Sequence, residues 1–505
     1  MTTPEASLPL VARAVAHADR IAMTAPEGTF RYRDLLDTSA AVAARLLAGA
    51  EDLCEARVAF LTPPGLTYVA VQWGIWRAGG VAVPLGVSHP PAELGYSVED
   101  SGASVVVAHP GMADRLRPIA EGYGLRFLLI TDLLADSARE AGLPALTPDR
   151  RAMIIYTSGT TSRPKGVVST HGNIQAQVTT LVEAWGWQPT DHILLVLPLH
   201  HVHGIINVLT CALWSGSRVT VHPEFDAGAV WEAIAGGELT LFMAVPTIYS
   251  RLIAAWEAAP PERQTALSAG CRTLRLMVSG SAALPVRVLG RWQEISGHVL
   301  LERYGMTEIG MALSNPLHDR RRPGSVGAPL PGVTVRLVDE EGREVAPGTP
   351  GEIEVRGPSV FREYWRRPEA TQAAFRDGWF RTGDIAVVEE GSYRILGRSS
   401  IDILKTGGYK VSALEIEEAI REHPAVREVA VVGLPDPEWG ERIGAAVVLA
   451  PGAALTLKEL RRWAGDRLAP YKLPTCLLAV EGLPRNAMGK VTKPDVVRLF
   501  TGLPR

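Results

Sequence analysis

"YTSGTTSRPKG", Tyr156 to Gly166, is the stretch from which the fold of this chain is read. It follows the apolar run Ala152-Met153-Ile154-Ile155 and sets glycines, hydroxyl residues, an arginine and a lysine side by side. Glycines let backbone N–H groups converge on an anion, hydroxyls donate further hydrogen bonds, and a lysine adds a point charge. A strand feeding such a loop is a common setting for a nucleotide phosphate. The Walker pattern is absent, because Lys165 stands between Pro164 and Gly166 and not before Ser or Thr. A run of Gly, Ser and Thr is equally at home in a polar surface loop. Its meaning therefore depends on partners elsewhere in the chain.

The chain has 505 residues, enough for two to four folding units by length alone. Its formal net charge of -3 gives no electrostatic footprint for nucleic acid or an anionic membrane. Cys54, Cys211, Cys271 and Cys476 lie far apart with no CxxC pair, which argues against a disulfide scaffold or cysteine zinc site and for a reducing compartment. The start, "MTTPEASLPLVARAVAHADRIAM", is interrupted by Arg13, His17, Asp19 and Arg20 and predicts an amphipathic helix, not a signal peptide. With no apolar run long enough to span a bilayer, a cytoplasmic protein without membrane partners is expected.

Short apolar runs alternate with helical patterns through the first 300 residues or so. Arg57–Leu61, Val81–Pro84, 104–108 and 126–130 are predicted strands, and "TYVAVQWGIWRAGG" is a helix ended by Gly79-Gly80. "HILLVLPLHH", "LTLFMAVP" and "TLRLMVSGSA" predict later strands with polar or small residues at their C-terminal ends, where open α/β sheets bind ligands. From about Gly332 the period changes to two around Glu341-Gly342 and Pro347-Gly348, which predicts antiparallel hairpins. Beyond Arg398 come helices near 413–422 and 457–468 and strands near 426–432, 444–449 and 476–480. The fold class expected is α/β, with a large N-terminal domain of layered sheets and helices (1–397). A small α+β C-terminal domain (398–505) is joined to it by a hinge.

Six further motifs join the loop: "LPLHHVHG" (197–204), "VSGSAALP" (278–285), "LERYGMTE" (301–308), "WFRTGD" (379–384), "ILGRSSIDILKTGGYKVSALEIE" (395–417) and "LPRNAMGK" (483–490). In this order they resemble the adenylate-forming superfamily of acyl-CoA synthetases, adenylation domains and luciferases, over nearly the whole chain. The resemblance implies ATP and CoA as co-substrates and Mg2+ as cofactor. It implies that Thr157, Ser158, Gly159, Thr160, Thr161 and Lys165 cover the β- and γ-phosphates, with Ser162 where the family usually has glycine. Gly280, Ser281, Ala282 and Tyr304 would form the adenine site, Thr307 a phosphate contact and Glu308 the metal ligand. Asp384 would hold the ribose hydroxyls, with Arg398 beside it. Lys490 would bridge substrate carboxylate and ATP, and Lys405, Gly407 and Gly408 would line the CoA tunnel. The hinge is placed at 398–400, where Ser399-Ser400 replaces the usual charged residue and Asp402 is displaced by one position.

Elementary chemistry agrees. A carboxylate attacking an α-phosphate brings two anions together, so the site needs a metal ion and a cation near the developing charge. A lysine near the far end of the chain reaches that reaction only when the domains close. Taken singly, Lys490 is equally a surface lysine, Glu308 a helix-start charge and Asp384 a turn residue.

Arg303 bears on which acid is used. It precedes Tyr304-Gly305, a position the resemblance puts beside the acyl group, where an arginine suits a second substrate carboxylate. The other possibility is an ion pair with Glu302 or Glu308. His201 matches the family's pocket histidine and His203 adds a possible donor, whereas a metal site in "HHVH" lacks a nearby carboxylate or cysteine. The stretches 301–316, 321–333 and 405–417 resemble malonyl-CoA synthetases in particular. Malonate, with methylmalonate as a neighbour, is the expected acid; a short or medium-chain monocarboxylate is the alternative. Loading of a carrier-protein thiol and a non-catalytic binding protein are more distant ones. "PRNAMGK" also resembles acylation targets, which implies a lysine acetyltransferase acting on Lys490.

Overall fold

The computed structural model describes residues 8–134, 142–157, 164–399, 401–406, 409–486 and 489–500. The short apolar runs become strands that are buried throughout, among them Val81–Pro84, Val105–Ala108, His192–Leu195, Leu241–Ala244 and Leu276–Ser279. Strands covered on both faces by helices need no polar alternation, which is why they read as continuous apolar runs. They form two sheets, of seven and nine strands, with parallel interiors; both edges of the nine-stranded sheet and one edge of the seven-stranded sheet are antiparallel.

The seven-stranded sheet carries the opening motif. Arg151–Thr157 pairs antiparallel with Lys165–Thr170, with Thr157 opposite Lys165. Tyr156 and Lys165 thus stand at the mouth of a hairpin, a different geometry from the strand–loop–helix of Walker sites. Residues 158–163, with Ser158, Gly159, Thr160, Thr161 and Ser162, lie outside the described residues. The hairpin base is held from Pro91–Ser101 and its neighbour: Tyr156 donates to Asp100 (2.9 Å) and Tyr96 to the Pro164 carbonyl (2.7 Å).

The nine-stranded sheet places Leu276–Ser279 beside Leu301–Met306, which turns back antiparallel into Gly310–Ser314. Glu308 therefore sits in a hairpin turn, not at a helix start. The expected antiparallel hairpins form a third sheet around Trp379–Glu389, which pairs with both Gly351–Arg356 and Ser392–Arg398. Asp384 is opposite Arg398 within it, so it is a strand residue and not a turn residue.

Beyond residue 402 a fourth sheet has its own apolar layers on both faces. Val429, Val431, Ile443, Ala445 and Val447 face the helices Ala413–Arg421 and Leu457–Gly465. Ala430, Val432, Ala446 and Val448 face Lys493–Phe500. The central strands are longer than the sequence predicts, Val426–Asp436 and Gly440–Leu449, because Pro435 and the polar residues around it disguise the ends of a ladder that continues to Gly440. The strand expected at 126–130 stops at Leu129, and Ile130 opens a short helix. Among the described residues no helix is long and apolar enough to cross a membrane.

At the end of the nine-stranded sheet away from these motifs, Arg275 grips Asp191 with two hydrogen bonds (2.8 and 2.5 Å), and Asp191 also accepts from the Gln188 N–H and Thr240. Asp191 is nearly inaccessible to water, so its loss strands a cation and two donors. Asp191→Ala should lower stability by about 2–4 kcal/mol in a denaturant titration while leaving turnover per folded molecule unchanged.

Candidate functional site

The C-terminal ends of Leu276–Ser279 and Leu301–Met306, the central strand of the third sheet and the segment before Lys493 converge on one cleft. At its first station Tyr304 donates to Asp384 Oδ2 (2.5 Å) and Arg398 Nε to Oδ1 (3.1 Å), so both oxygens of this buried carboxylate have a donor. Burial raises the Asp384 pKa, which Arg398 and the Tyr304 hydrogen bond oppose. At the second station Glu308, also buried, accepts from Tyr364 (2.9 Å), and the Lys165 ammonium lies 4.8 Å above the Tyr364 ring. Burial raises the Glu308 pKa, against the Tyr364 hydrogen bond and the charges of Arg398 and Lys165. Thr307 is half-buried beside it in the same turn, and Thr157 is half-buried at the hairpin mouth. Tyr364 has no sequence signal; it lies 56 residues from Glu308 and meets it because Glu363–Tyr364 pairs with the strand that carries Lys165.

The third station is built round Arg303, which is 4% exposed. Gly280 makes room for it: a Cβ there would come within 2.5 Å of the guanidinium carbon. Ser281, held at φ 69°, accepts from Arg303 Nη2 (3.2 Å) and lies 3.1 Å from His203 Nδ1. A hydroxyl that accepts from arginine has its own proton free for Nδ1, so this network assigns the His203 proton to Nε2. Arg303 Nε and His203 Nε2 are both buried without a partner among the described residues. One chain of hydrogen bonds thus carries two buried donors with no acceptor among the described residues.

The ion pair considered for Arg303 is not formed. Glu302 faces the opposite side of its strand, as alternation requires, and accepts the Gly324 N–H (3.2 Å). Glu308 is taken by Tyr364. Burial alone lowers the Arg303 pKa to about 9, with no carboxylate opposing it. The histidine linked to Arg303 is His203 and not His201. His201 packs against His200 at 4.0 Å between ring centroids with the rings tilted by 49°, its Nε2 has no partner among the described residues, and burial and then the Lys490 charge lower its pKa to about 3. Among the described residues no group of His, Cys, Asp and Glu could hold a metal by itself, which sets aside the metal reading of "HHVH".

His203 opens a π-helical segment, His203–Thr210, a form frequent at functional sites. On it Asn207 is fully buried with both amide atoms unpartnered. A lone amide in the apolar run "GIINVLT" is the signal by which the sequence could have shown it. Ala282 is exposed beside the Ser281 bend, Lys405 is exposed on a strand edge with its N–H on Glu441 (2.6 Å), and Gly407 and Gly408 lie outside the described residues.

Lys490 closes the cleft. Lys490 keeps contact with water, yet desolvation by the surrounding protein lowers its pKa, followed by the charges of Arg398 and Arg303, with Asp384 opposing. A residue of the fourth sheet's unit thus shares one electrostatic field with the first and third stations.

Comparison with known proteins matches residues 10–365 to the family described as AMP-binding enzyme and residues 415–490 to its C-terminal domain. The chain belongs to the AMP-binding enzyme family. The mouse (Mus musculus) protein named malonate–CoA ligase ACSF3, mitochondrial, is 49% identical, with 98% of this chain and 92% of the mouse protein aligned. MatB from Rhodopseudomonas palustris, solved with ATP bound, is 35% identical and superposes with a TM-score of 0.90 over 98% of this chain and 99% of that one. The apo form of the same MatB superposes at 0.82, with 35% identity and coverage of 98% and 99%. This AMP-binding enzyme thus superposes more closely on the ATP-bound than on the apo structure of that protein.

Two predictions test this geometry. Gly280→Ala forces the Arg303 guanidinium from its seat, so the acid KM should rise at least about tenfold in steady-state kinetics. The second concerns Glu302, whose pKa burial, with Glu418 nearby, raises to about 8. Between its ordinary value of 4.5 and 8 the folded chain keeps a proton that the unfolded carboxyl has released, so stability falls as pH rises through that window. In denaturant titrations Glu302→Gln should match the parent near pH 4 and exceed it by about 2–4 kcal/mol at pH 8.

Proposed function

We propose that this chain joins malonate to CoA with ATP through an acyl-adenylate, releasing AMP and pyrophosphate. The observation that carries the reading is the pair of buried donors, Arg303 Nε and His203 Nε2, left without an anion by the protein. A buried guanidinium with no counter-charge is costly, and a ligand carboxylate meets both donors at once. The acid that fits has two carboxylates, one held here and one free to react. The name carried by the mouse relative supports this choice.

In the first half-reaction the free carboxylate oxygen attacks the α-phosphorus, and the bond to the pyrophosphate oxygen breaks. Lys490 approaches from the small unit and meets the negative charge that gathers there. Asp384 holds the ribose hydroxyls, with Tyr304 and Arg398 fixing its orientation, and Gly280, Ser281 and Ala282 border the adenine. Thr157, Thr307 and Lys165, with the loop 158–163, take the phosphates. Glu308 suits Mg2+: it is a buried carboxylate with one hydroxyl donor, and such ions take one or two carboxylates with the rest from phosphate and water. When bound, the ion screens phosphate charge. In the second half-reaction the CoA sulfur attacks the acyl carbon and AMP leaves, with Lys405, Gly407 and Gly408 along the thiol's path. Two domains dividing at 397/398 belong to the same reading. So does a lysine acetyltransferase acting on Lys490, since acetylation would abolish the charge used in the first half-reaction.

The test is pyrophosphate release with malonate, methylmalonate, acetate and octanoate, in the parent and in Arg303→Ala. Malonate should be the best acid, and Arg303→Ala should cost about 2–5 kcal/mol in kcat/KM for malonate while barely changing that for acetate. Malonate kinetics unaltered in the variant, or a parent that prefers octanoate, would sink the dicarboxylate reading. A methyl group is discriminated by only about 1–3 kcal/mol, so methylmalonate should be accepted within about two orders of magnitude of malonate.

A further inference from the structure

The segment bearing Lys490 is pinned on both sides. Before it, Arg485 meets Glu428 at 2.5 Å and donates to the Gly489 carbonyl (2.7 Å), and Arg485 bridges to Val491 across the turn. Inside the turn, the Lys490 N–H donates to Asn486 Oδ1 (3.0 Å). After it, three residues on, the Lys493 ammonium lies 2.6 Å from Asp402 and 2.9 Å from Glu417, and all three side chains are at most 16% exposed. Glu417 also accepts from Arg421 (3.0 Å) and the Val431 N–H (2.9 Å), so two cations and two carboxylates balance in one buried group.

Asp402 gives this group its reach. Its other oxygen accepts the Arg398 N–H (3.1 Å), and Arg398 holds Asp384. Its backbone carbonyl takes the N–H of Ala413, the first residue of the helix that carries Glu417. A continuous polar path therefore runs from the ribose carboxylate, through the segment where the large and small units join, to the root of the helix just past Lys490.

We propose that Lys493 is a positioning residue for adenylation, setting where Lys490 stands by locking its segment to Asp402 at the junction. The inference rests on the reading of Lys490 as the adenylation lysine but on no particular acid. A short helix end with free torsions would let the Lys490 ammonium wander by more than a hydrogen-bond length. Two carboxylates, 2.6 and 2.9 Å from one buried ammonium, hold it by their charge. The thioester half-reaction, which does not use Lys490 in this reading, has no need of the lock.

The experiment measures the two half-reactions separately, with the acid the parent uses best. Lys493→Met should slow acyl-adenylate formation at least about tenfold in kcat, with KM for ATP and acid within about twofold of the parent. Conversion of supplied acyl-adenylate to the CoA thioester should stay within about twofold, and Lys493→Arg should recover most of the adenylation rate. Because Lys493→Met leaves Asp402 and Glu417 facing one another, Asp402→Asn/Lys493→Met is made beside it. That double variant should regain stability yet remain slow in adenylation. Equal loss of both half-reactions in Lys493→Met, or adenylation restored along with stability in the double variant, would overturn the proposal. Lys490→Ala run in parallel separates the two ideas. Full adenylation there defeats the reading of Lys490, whereas a drop there with none in Lys493→Met defeats only the positioning role.

Discussion

A guanidinium sealed from water with no carboxylate to meet it is the constraint around which the cleft is organised. Arg303 can be held there only because Gly280 offers no side chain, because Ser281 accepts one N–H, and because strand alternation sends Glu302 the other way. Each concession restricts a neighbour. Ser281 must sit in a left-handed conformation, its proton must point to His203, and His203 must keep its own proton on the far nitrogen. The polarity around Arg303 is thus set by a relay of three side chains from three separate segments, which leaves two donors unpaired among the described residues.

The same economy operates at the nucleotide end. Asp384, Tyr304 and Arg398 come from strands that are neighbours only after the third sheet has formed against the nine-stranded one, and Glu308 finds Tyr364 because a two-residue edge strand extends the seven-stranded sheet. Three sheets therefore meet at the cleft: the first two stations each join the nine-stranded sheet to another sheet, while the third is built from strands of the nine-stranded sheet and the segments that follow them.

Much of this was legible in the chain. Continuous apolar runs gave the buried parallel strands, and the change to period two near Gly332 marked the antiparallel sheet, because burial on one or two faces writes directly into the pattern. Motif residues gave Lys165, Arg303, Tyr304, Glu308, Asp384, Arg398 and Lys490. What stayed hidden depends on pairing across long distances. Tyr364 and Asn207 stand in stretches of ordinary composition, and nothing local says that Lys493 meets Asp402 91 positions earlier. The choice between His201 and His203 turned on which ring lies behind Ser281, a matter of register in a π-helical turn that spacing does not encode. The hairpin form of the Tyr156–Gly166 stretch was also hidden, since a strand leading into a glycine-bearing loop reads the same whether a helix or a returning strand follows.

The two apolar layers of the fourth sheet are filled by that unit's own helices, separately from the cores of the other sheets. Across the junction lie polar contacts such as Glu418 with the Val286 N–H (3.0 Å) and Lys410 with Glu340 (2.5 Å). These two layers would therefore stay covered if the small unit turned about this junction, and the contacts named above are ones that water can replace. On the reading of a hinge at 398–400, two positions that exchange such polar contacts would lie on a nearly level landscape. The occupant of the cleft, and not the protein's own packing, is then free to decide which position prevails.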